Sequence, residues 1–164
     1  MASPDIKQNY LSPLEFSFVI HRLPNTSFFI QEANIPGISS TELTINTPFR
    51  EMHFSQDKLI YNDFAINVRV DENMKNYLEI VNWMKGLGFP KSFDQYADLQ
   101  AGDGNYSDAT LIIMNSMKNQ NISIIFEDIF PVAIGDIQLN TTNMDVDFAT
   151  VDITFKINGY RVKE

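Results

Sequence analysis

The stretch FAINVRVDENMKNYLEIVNW, from Phe64 to Trp83, changes its hydrophobic period in the middle. Its first seven residues alternate apolar and polar side chains, which is typical of a strand with one buried face. From Met74 onward the apolar residues recur at the spacing of one helix face. The stretch therefore predicts a strand that runs directly into an amphipathic helix, over about residues 72–86.

Polar residues and glycines mark the two ends of this helix. The side chain of Asp71 or Asn73 can accept a hydrogen bond from an unpaired amide of the first turn. Gly86, Gly88 and Pro90 are residue types that commonly end helices. We therefore expect the helix to end before Pro90.

Alternation with a period of two residues predicts strands along most of the remaining chain. The predicted strands are Leu14–Ile20, Thr26–Ala33, Glu42–Asn46, Ala109–Met114, Ile122–Phe126 and Thr150–Ile157. Phe130-Pro131 is expected to end the return strand of a hairpin. About seven strands and one flanking helix indicate a mainly β fold, an antiparallel β-sandwich or barrel. Sheet edges left open in such a fold invite pairing with another chain.

Length and composition limit the organisation of the chain. Its 164 residues are most simply one β domain at 13–164, preceded by a polar N-terminal arm at 1–12. The absence of cysteine excludes disulfides and thiolate metal sites. No apolar signal core and no run of membrane-span length is present, so a soluble protein made in the cytosol is expected, without membrane insertion by the monomer.

The formal net charge of −9 indicates whether the chain can bind nucleic acid. A protein that grips DNA by its phosphates needs a basic face, and this chain has only 12 lysines and arginines. Stable nucleic-acid binding is therefore not expected. An acidic surface that lets DNA slide past, or one that only keeps the protein soluble, fits the charge equally well.

Motifs for catalysis or for metal binding fail on their spacing. His21 and His53 are the only histidines and are far apart in the chain. A calcium loop beginning at Asp103 would need Gly at 108 and Glu at 114, where the chain has Asp108 and Met114. The Gly86-Leu87-Gly88 motif lacks the third glycine of a dinucleotide loop. We expect no enzyme activity, no cofactor and no metal.

Residues 47–62, TPFREMHFSQDKLIYN, show no clean period. A segment of this length without structure of its own is uncommon unless it has a use. One interpretation is a hairpin folded over the core of the same domain. The other is an extended arm that packs on a neighbouring subunit.

The ordered set of motifs resembles the tail tube proteins of contractile-tailed bacteriophages, a family related to the tubes of type VI secretion and other contractile injection systems. The resemblance rests on residues 47–50 with 57–64, on 68–73 with the helix through Trp83, on 107–113 with 122–131, and on 139–155. Together these stretches span about residues 14–160. Each motif alone is weak, and their order and spacing carry the resemblance.

The resemblance implies a structural virion protein. Hexameric rings of this chain would stack into the inner tail tube and serve as the conduit for DNA ejection. The implied partners are further copies of the chain, the tail sheath protein outside, the tape-measure protein and transiting DNA inside, and the baseplate initiator. Assembly would take place in the host cytoplasm.

Two sets of residues are assigned on this basis. The predicted lumen-facing set is Glu15, Ser17, Asn67, Arg69, Thr150, Asp152 and Lys156. The predicted inter-ring or inter-subunit contacts are Phe49, Arg50, His53, Phe54, Lys58 and Leu59, with the N-terminal arm. The lumen set is mixed in charge, and facing bulk water or another subunit is the alternative for its members.

Several other roles remain open at this stage. A baseplate tube initiator or a tube terminator would share the fold and occur as a single ring. The inner tube of a contractile injection system is a third role within the same architecture. An enzyme on a sandwich scaffold or a lectin-like binding module would come from a different class.

Overall fold

A computed structural model gives the fold for residues 11, 14–88, 91–94, 96–97, 104–140 and 148–163. The predicted N-terminal arm at 1–12 therefore lies outside the described residues, apart from Leu11. The strands are β1 Phe16–Ile20, β2 Ile30–Ala33, β3 Ile38–Asn46, β4 Glu51–Tyr61, β5 Phe64–Arg69, β6 Ser107–Met114, β7 Gln120–Ile134, β8 Thr150–Lys156 and β9 Gly159–Lys163. The helices are α1 Pro24–Ser27 and α2 Lys75–Gly88. The predicted mainly β, antiparallel architecture is confirmed.

The long strand β7 connects two halves of a seven-stranded sheet. The strand order is β1-β6-β7-β8-β5-β2, and β9 pairs with β7. β6 and β9 pair with the first part of β7, whereas β8 pairs with its last residues, Phe130–Ile134. We call β1, β6, β9 and the first part of β7 the β6 half. We call β2, β5, β8 and the end of β7 the β8 half.

The core is aromatic and lies between these two halves. Phe64 stacks against Phe18 and Phe126 with ring centroids 5.0 and 4.6 Å apart. Trp83 of α2 reaches the same cluster, with its ring 6.3 Å from that of Phe155. Because Phe64 and Phe155 are fully buried, this cluster contributes to the hydrophobic stabilisation that joins the halves, together with buried aliphatic residues such as Ile66 and Ile153.

The junction between β5 and α2 is held by a residue other than the predicted caps. Asn76 is 1% exposed, its Nδ2 donates to the Arg69 carbonyl at 2.7 Å, and its Oδ1 accepts from the Asp71 amide at 3.2 Å. In this part of the chain the side chains of Asp71 and Asn73 make no hydrogen bond. The prediction that the Asp71 or Asn73 side chain caps α2 was therefore wrong. The Asn76 side chain instead connects the end of β5 to the helix.

Several boundaries differ from the sequence prediction, and three of them are informative. Strand β2 begins at Ile30 rather than Thr26, because Pro24 starts the short helix α1, in which Thr26 is a buried residue. Strand β7 continues through Pro131, which lies beyond the β6 pairing and is opposite Phe155 of β8. Gly86 does not end α2, since it is buried inside the helix. Strand β9 was not predicted.

The predicted extended hairpin is present, but it begins earlier than residue 47. Strand β3 starts at Ile38 and pairs antiparallel with β4, so residues 47–62 form the turn and the second strand of the hairpin. β3 and β4 make a separate two-stranded sheet. We refer to residues 38–61 as the hairpin.

We expect Asn76→Ala to lower the free energy of unfolding by about 1–3 kcal/mol, because a partly buried carbonyl and a partly buried amide lose their partner. Urea unfolding followed by circular dichroism measures the effect. Asn82→Ala, at an exposed position of the same helix, is the control and should change stability by less than about 0.5 kcal/mol. Equal losses in the two variants would contradict the role of Asn76.

Candidate assembly surfaces

The strand register of the hairpin is irregular at Thr41. From Glu42 to the tip, the hairpin has one apolar and one polar face. Cross-strand pairing places Leu43 opposite Phe54 and Ile45 opposite Met52 on one face. The other face carries the pairs Glu42–Ser55, Thr44–His53 and Asn46–Glu51. Leu43, Ile45 and Phe54 are 45–46% exposed although they lie on the apolar face. A two-stranded ribbon of this kind is marginally stable alone and exposes a surface that suits a partner.

The tip of the hairpin is closed by Thr47. Its amide donates to the Arg50 carbonyl at 3.0 Å, and its Oγ1 donates to the same oxygen at 2.6 Å. The Arg50 amide in turn donates to Thr47 Oγ1 at 3.2 Å. This turn presents Phe49, which is 97% exposed, at the extreme end of the ribbon.

The root of the hairpin is fixed to the domain through β9. Tyr160 packs its ring 5.6 Å from that of Tyr61 and 5.9 Å from that of the core residue Phe126. Its hydroxyl donates to the Pro36 carbonyl at 3.3 Å. The Asn62 amide donates to the Gly37 carbonyl at 3.0 Å across the base. The hairpin therefore projects from an anchored base.

All six predicted contact residues lie on the hairpin, but they do not share a face. Phe49 and Arg50 are at the tip and Phe54 is on the apolar face. His53 is on the polar face, where its Nδ1 lies 3.3 Å from Thr44 Oγ1 and 3.8 Å from a Glu42 carboxylate oxygen. Lys58 and Leu59 are exposed nearer the root. Their contacts in an assembly stay a prediction.

Five of the seven predicted lumen residues lie together on the outer face of the β8 half. Asn67 pairs with Asp152 and Arg69 pairs with Thr150 on the neighbouring strands β5 and β8. The side-chain Nδ2 of Asn67 donates to Asp152 Oδ1 at 2.7 Å. Lys156, at the end of β8, forms an ion pair with Asp63. This face is continuous and polar.

Arg69 is held at one end of this face. Its guanidinium carbon lies 4.1 Å from the centre of the Phe148 ring. Gln31 of β2, with its amide oxygen turned toward Arg69, accepts from Nη2 at 2.6 Å and from Nε at 3.2 Å. The positive charge is therefore fixed against an aromatic ring and an amide.

The other two predicted lumen residues belong to the β6 half. Ser17 is on β1, which pairs with β6 at the opposite edge of the sheet. Glu15 precedes β1 and lies 3.9 Å from the Lys118 ammonium group. The structure does not bring Glu15 and Ser17 to the face that carries the other five residues.

A cavity of about 600 Å³ is lined by His21, Asp108 and Asp128 with residues 104–107. The Asp128 amide donates to Asp108 Oδ1 at 3.3 Å, and Asn158 Nδ2 donates to Asp128 Oδ2 at 3.4 Å. Both carboxylates therefore support the local backbone and the β8–β9 turn. Across the described ranges, no three His, Asp or Glu side chains are grouped as a metal site would require. No helix in these ranges is long and apolar enough to cross a membrane.

Several solved structures are similar to this chain. A chain in the extended sheath–tube complex of the PVC extracellular contractile injection system matches with a TM-score of 0.63 and 11% identity, covering 95% of this chain and 93% of that one. A chain in the tube-terminating cap of the anti-feeding prophage matches with a TM-score of 0.63 and 12% identity, covering 97% of this chain and 95% of that one. A chain in the baseplate of the same particle matches with a TM-score of 0.63 and 10% identity, covering 99% of this chain and 97% of that one.

At these identities the similar structures show a shared fold. A comparison with curated protein sequences gave no match. The family model described as phage tail tube protein matches residues 15–163, which is nearly the whole chain. The chain therefore belongs to the phage tail tube protein family.

Proposed function

We propose that this tail tube protein forms hexameric rings that stack into the inner tube of a contractile phage tail, the conduit for DNA ejection. The observation that carries the proposal is the anchored hairpin with an uncovered apolar face. Among the residues that the structure describes, no element covers this face, whereas a neighbouring subunit would bury it. The role is structural and non-catalytic.

The free edges of the β8 half support closure into a ring. β2 ends the strand order on one side, and the β7 residues Phe130–Ile134 have a strand partner only on the β8 side among the described elements. Two different edges of one sheet can pair head to tail between neighbours, and such a contact closes when the rotation fits. A closed ring leaves two unlike faces, which can stack repeatedly.

In such a ring the outer face of the β8 half would line the lumen. This assignment keeps Asn67, Arg69, Thr150, Asp152 and Lys156 from the predicted set and leaves out Glu15 and Ser17. Lys156 on this face is paired with Asp63, and the remaining charges of the set, those of Arg69 and Asp152, are opposite in sign. A polar wall without free cationic clusters gives phosphates little to bind.

The remaining partners follow from the proposed tube. The sheath protein would lie outside, the tape-measure protein and transiting DNA inside, and the baseplate initiator at one end. Assembly in the host cytoplasm would precede release in the virion. A matching fold in a sheath–tube complex and in a baseplate supports these partners.

A second candidate is a ring that starts or ends the tube. The match to a chain of a tube-terminating cap has the same TM-score as the match to the sheath–tube complex, so the fold supports both roles equally. Tubes that lengthen with protein concentration would favour the tube subunit, and single rings at every concentration would favour the terminal component. The inner tube of an injection system remains the third role.

We expect replacement of Leu43–Phe54 by Asn-Gly to leave a folded domain and to abolish tubes. The two-residue turn joins Glu42 to Ser55, which already face each other in the hairpin. Circular dichroism tests the fold, and negative-stain microscopy with mass photometry tests assembly. Met117→Ser, which removes an 80% exposed side chain from a different turn, is the control and should still assemble. An unfolded shortened protein would show that the hairpin belongs to the core of the monomer.

We expect tubes of Asp152→Lys, assembled with double-stranded DNA, to retain DNA that nuclease cannot reach, because the substitution adds cationic charge to the lumen. The retained DNA should fall as salt rises. Glu72→Lys makes the same charge change at an exposed position outside the sheet and should hold only nuclease-sensitive DNA. Equal protection in the two variants would place Asp152 away from the lumen.

A further inference from the structure

The free edge of β1 borders an open groove on the surface of the domain. The groove has a volume of about 450 Å³, and it is lined by residues 16–19 of β1 and by residues that include Phe28 and Ile30. Phe28 is 85% exposed. Because β1 ends the strand order, no described strand pairs with this edge. A free strand edge of this kind can accept a further extended segment.

The main-chain hydrogen bonds of β1 show which of its residues face the groove. The Glu15 carbonyl accepts from the Met114 amide at 3.0 Å, and the His21 amide donates to the Asp108 carbonyl at 3.2 Å. Odd-numbered residues therefore bond to β6, because the bonding direction alternates along an antiparallel strand. The even-numbered residues direct their amides and carbonyls toward the groove.

Two of these even-numbered residues have main-chain groups without a partner on this side. Ile20 is satisfied locally, since its amide donates to Ser27 Oγ at 3.2 Å and its carbonyl accepts from the Leu23 amide at 3.1 Å. Within the described residues, Phe16 and Phe18 have no corresponding partner. Both can exchange main-chain hydrogen bonds with an added strand, as in peptide recognition by strand addition.

The segment nearest to this edge in the sequence is the one that precedes β1. Residues 1–10 lie outside the described residues, and Leu14, which follows them, is 86% exposed in a turn. A reversal of the chain near this turn would return the segment alongside β1 in the antiparallel direction. Because the connection is short, the effective concentration of this segment at the groove exceeds that of a segment from another subunit.

The polarity of the segment selects its register against β1. Directly opposed residues of antiparallel strands carry their side chains on the same face. Phe18 is 2% exposed and belongs to the core, so the residues opposite Phe16 and Phe18 lie on the core side. Ile6 and Tyr10 lie on this side when even-numbered residues are opposed, whereas a shift of one residue would place Lys7 there.

We propose that residues 6–10 lie in the groove of their own domain as a strand antiparallel to β1. Tyr10 is opposite Phe16, and Gln8 is opposite Phe18. This register leaves five residues as the connection, a length that β-hairpins commonly use. The inference does not depend on the proposed rings or tubes.

The other side chains of the segment fit the surfaces on both sides of the groove. On the solvent side Lys7 is opposite Val19, which is 40% exposed, and its methylene stem covers this side chain. On the core side α1 ends the pairing at Ile20, so Ile6 meets the exposed ring of Phe28. The segment thus covers a strand edge that would otherwise be open to other copies of the chain.

Disulfide trapping distinguishes this position from the inter-subunit contact predicted for the N-terminal arm. Asn9→Cys and Ser17→Cys are opposed at a non-hydrogen-bonded position, where the Cα atoms are close enough for a disulfide. Since the chain has no cysteine of its own, mild oxidation should join these two within one chain. The expected result is loss of both alkylatable thiols with the mobility of a monomer on a non-reducing gel.

The control variant combines Gln8→Cys with Ser17→Cys. These two side chains would lie on opposite faces of the paired strands, so the control should keep both thiols. A disulfide that joins two chains would place the segment on another subunit and overturn the proposal. Retained thiols in the Asn9→Cys variant, or equal oxidation of the two variants, would also overturn it.

Amide hydrogen exchange on unassembled subunits tests the added hydrogen bonds. Ile6→Asp places a charge on the core side and should make the amides of Phe16 and Phe18 exchange at least about tenfold faster. Lys7→Asp places the same residue type on the solvent side and should leave their exchange nearly unchanged. Circular dichroism checks that both variants are folded. Identical exchange in the wild type and in Ile6→Asp would overturn the proposal.

Discussion

The strand pairing of β7 is the constraint on which the domain depends. This strand shares hydrogen bonds with β6, β9 and β8, and its register shifts between Pro131 and Ala133 where it enters the β8 half. A shift of this kind bends a strand and increases its twist. Without it the two halves would not face each other, and the Phe64, Phe126 and Phe155 cluster would have no common interior.

The hairpin contrasts with this interior. Its apolar pairs, Leu43 with Phe54 and Ile45 with Met52, lie in a separate sheet and remain partly exposed. The domain supplies an anchor at Tyr160, and in the described part of the chain no element covers the hairpin. In the proposed tube, stability and assembly would depend on different parts of the chain, so subunits could fold first and associate afterwards.

Much of the fold could be predicted from residue patterns because the central strands bury one face. Phe64–Arg69 and Thr150–Lys156 alternate, and the change of period at Met74 located α2. The residues Ile38–Thr41 of β3 carry no alternating apolar set, and Pro131 suggested an end to a strand that continues. Those elements depend on which neighbour they pair with, and local sequence does not contain this information.

The candidate surfaces were predictable in position and not in orientation. Resemblance to the tube family predicted contacts between residues 49 and 59, and the face of each residue follows from the Leu43–Phe54 register and the irregularity at Thr41. The order of the strands has a consequence for synthesis. Phe64 pairs with Phe155, so the pairing of β5 with β8 can form only after nearly the whole chain has been synthesised. The hairpin joins strands that are close in sequence and can form earlier. Nascent chains would therefore expose the apolar face of the hairpin before the core has formed. The net charge of −9 opposes their association.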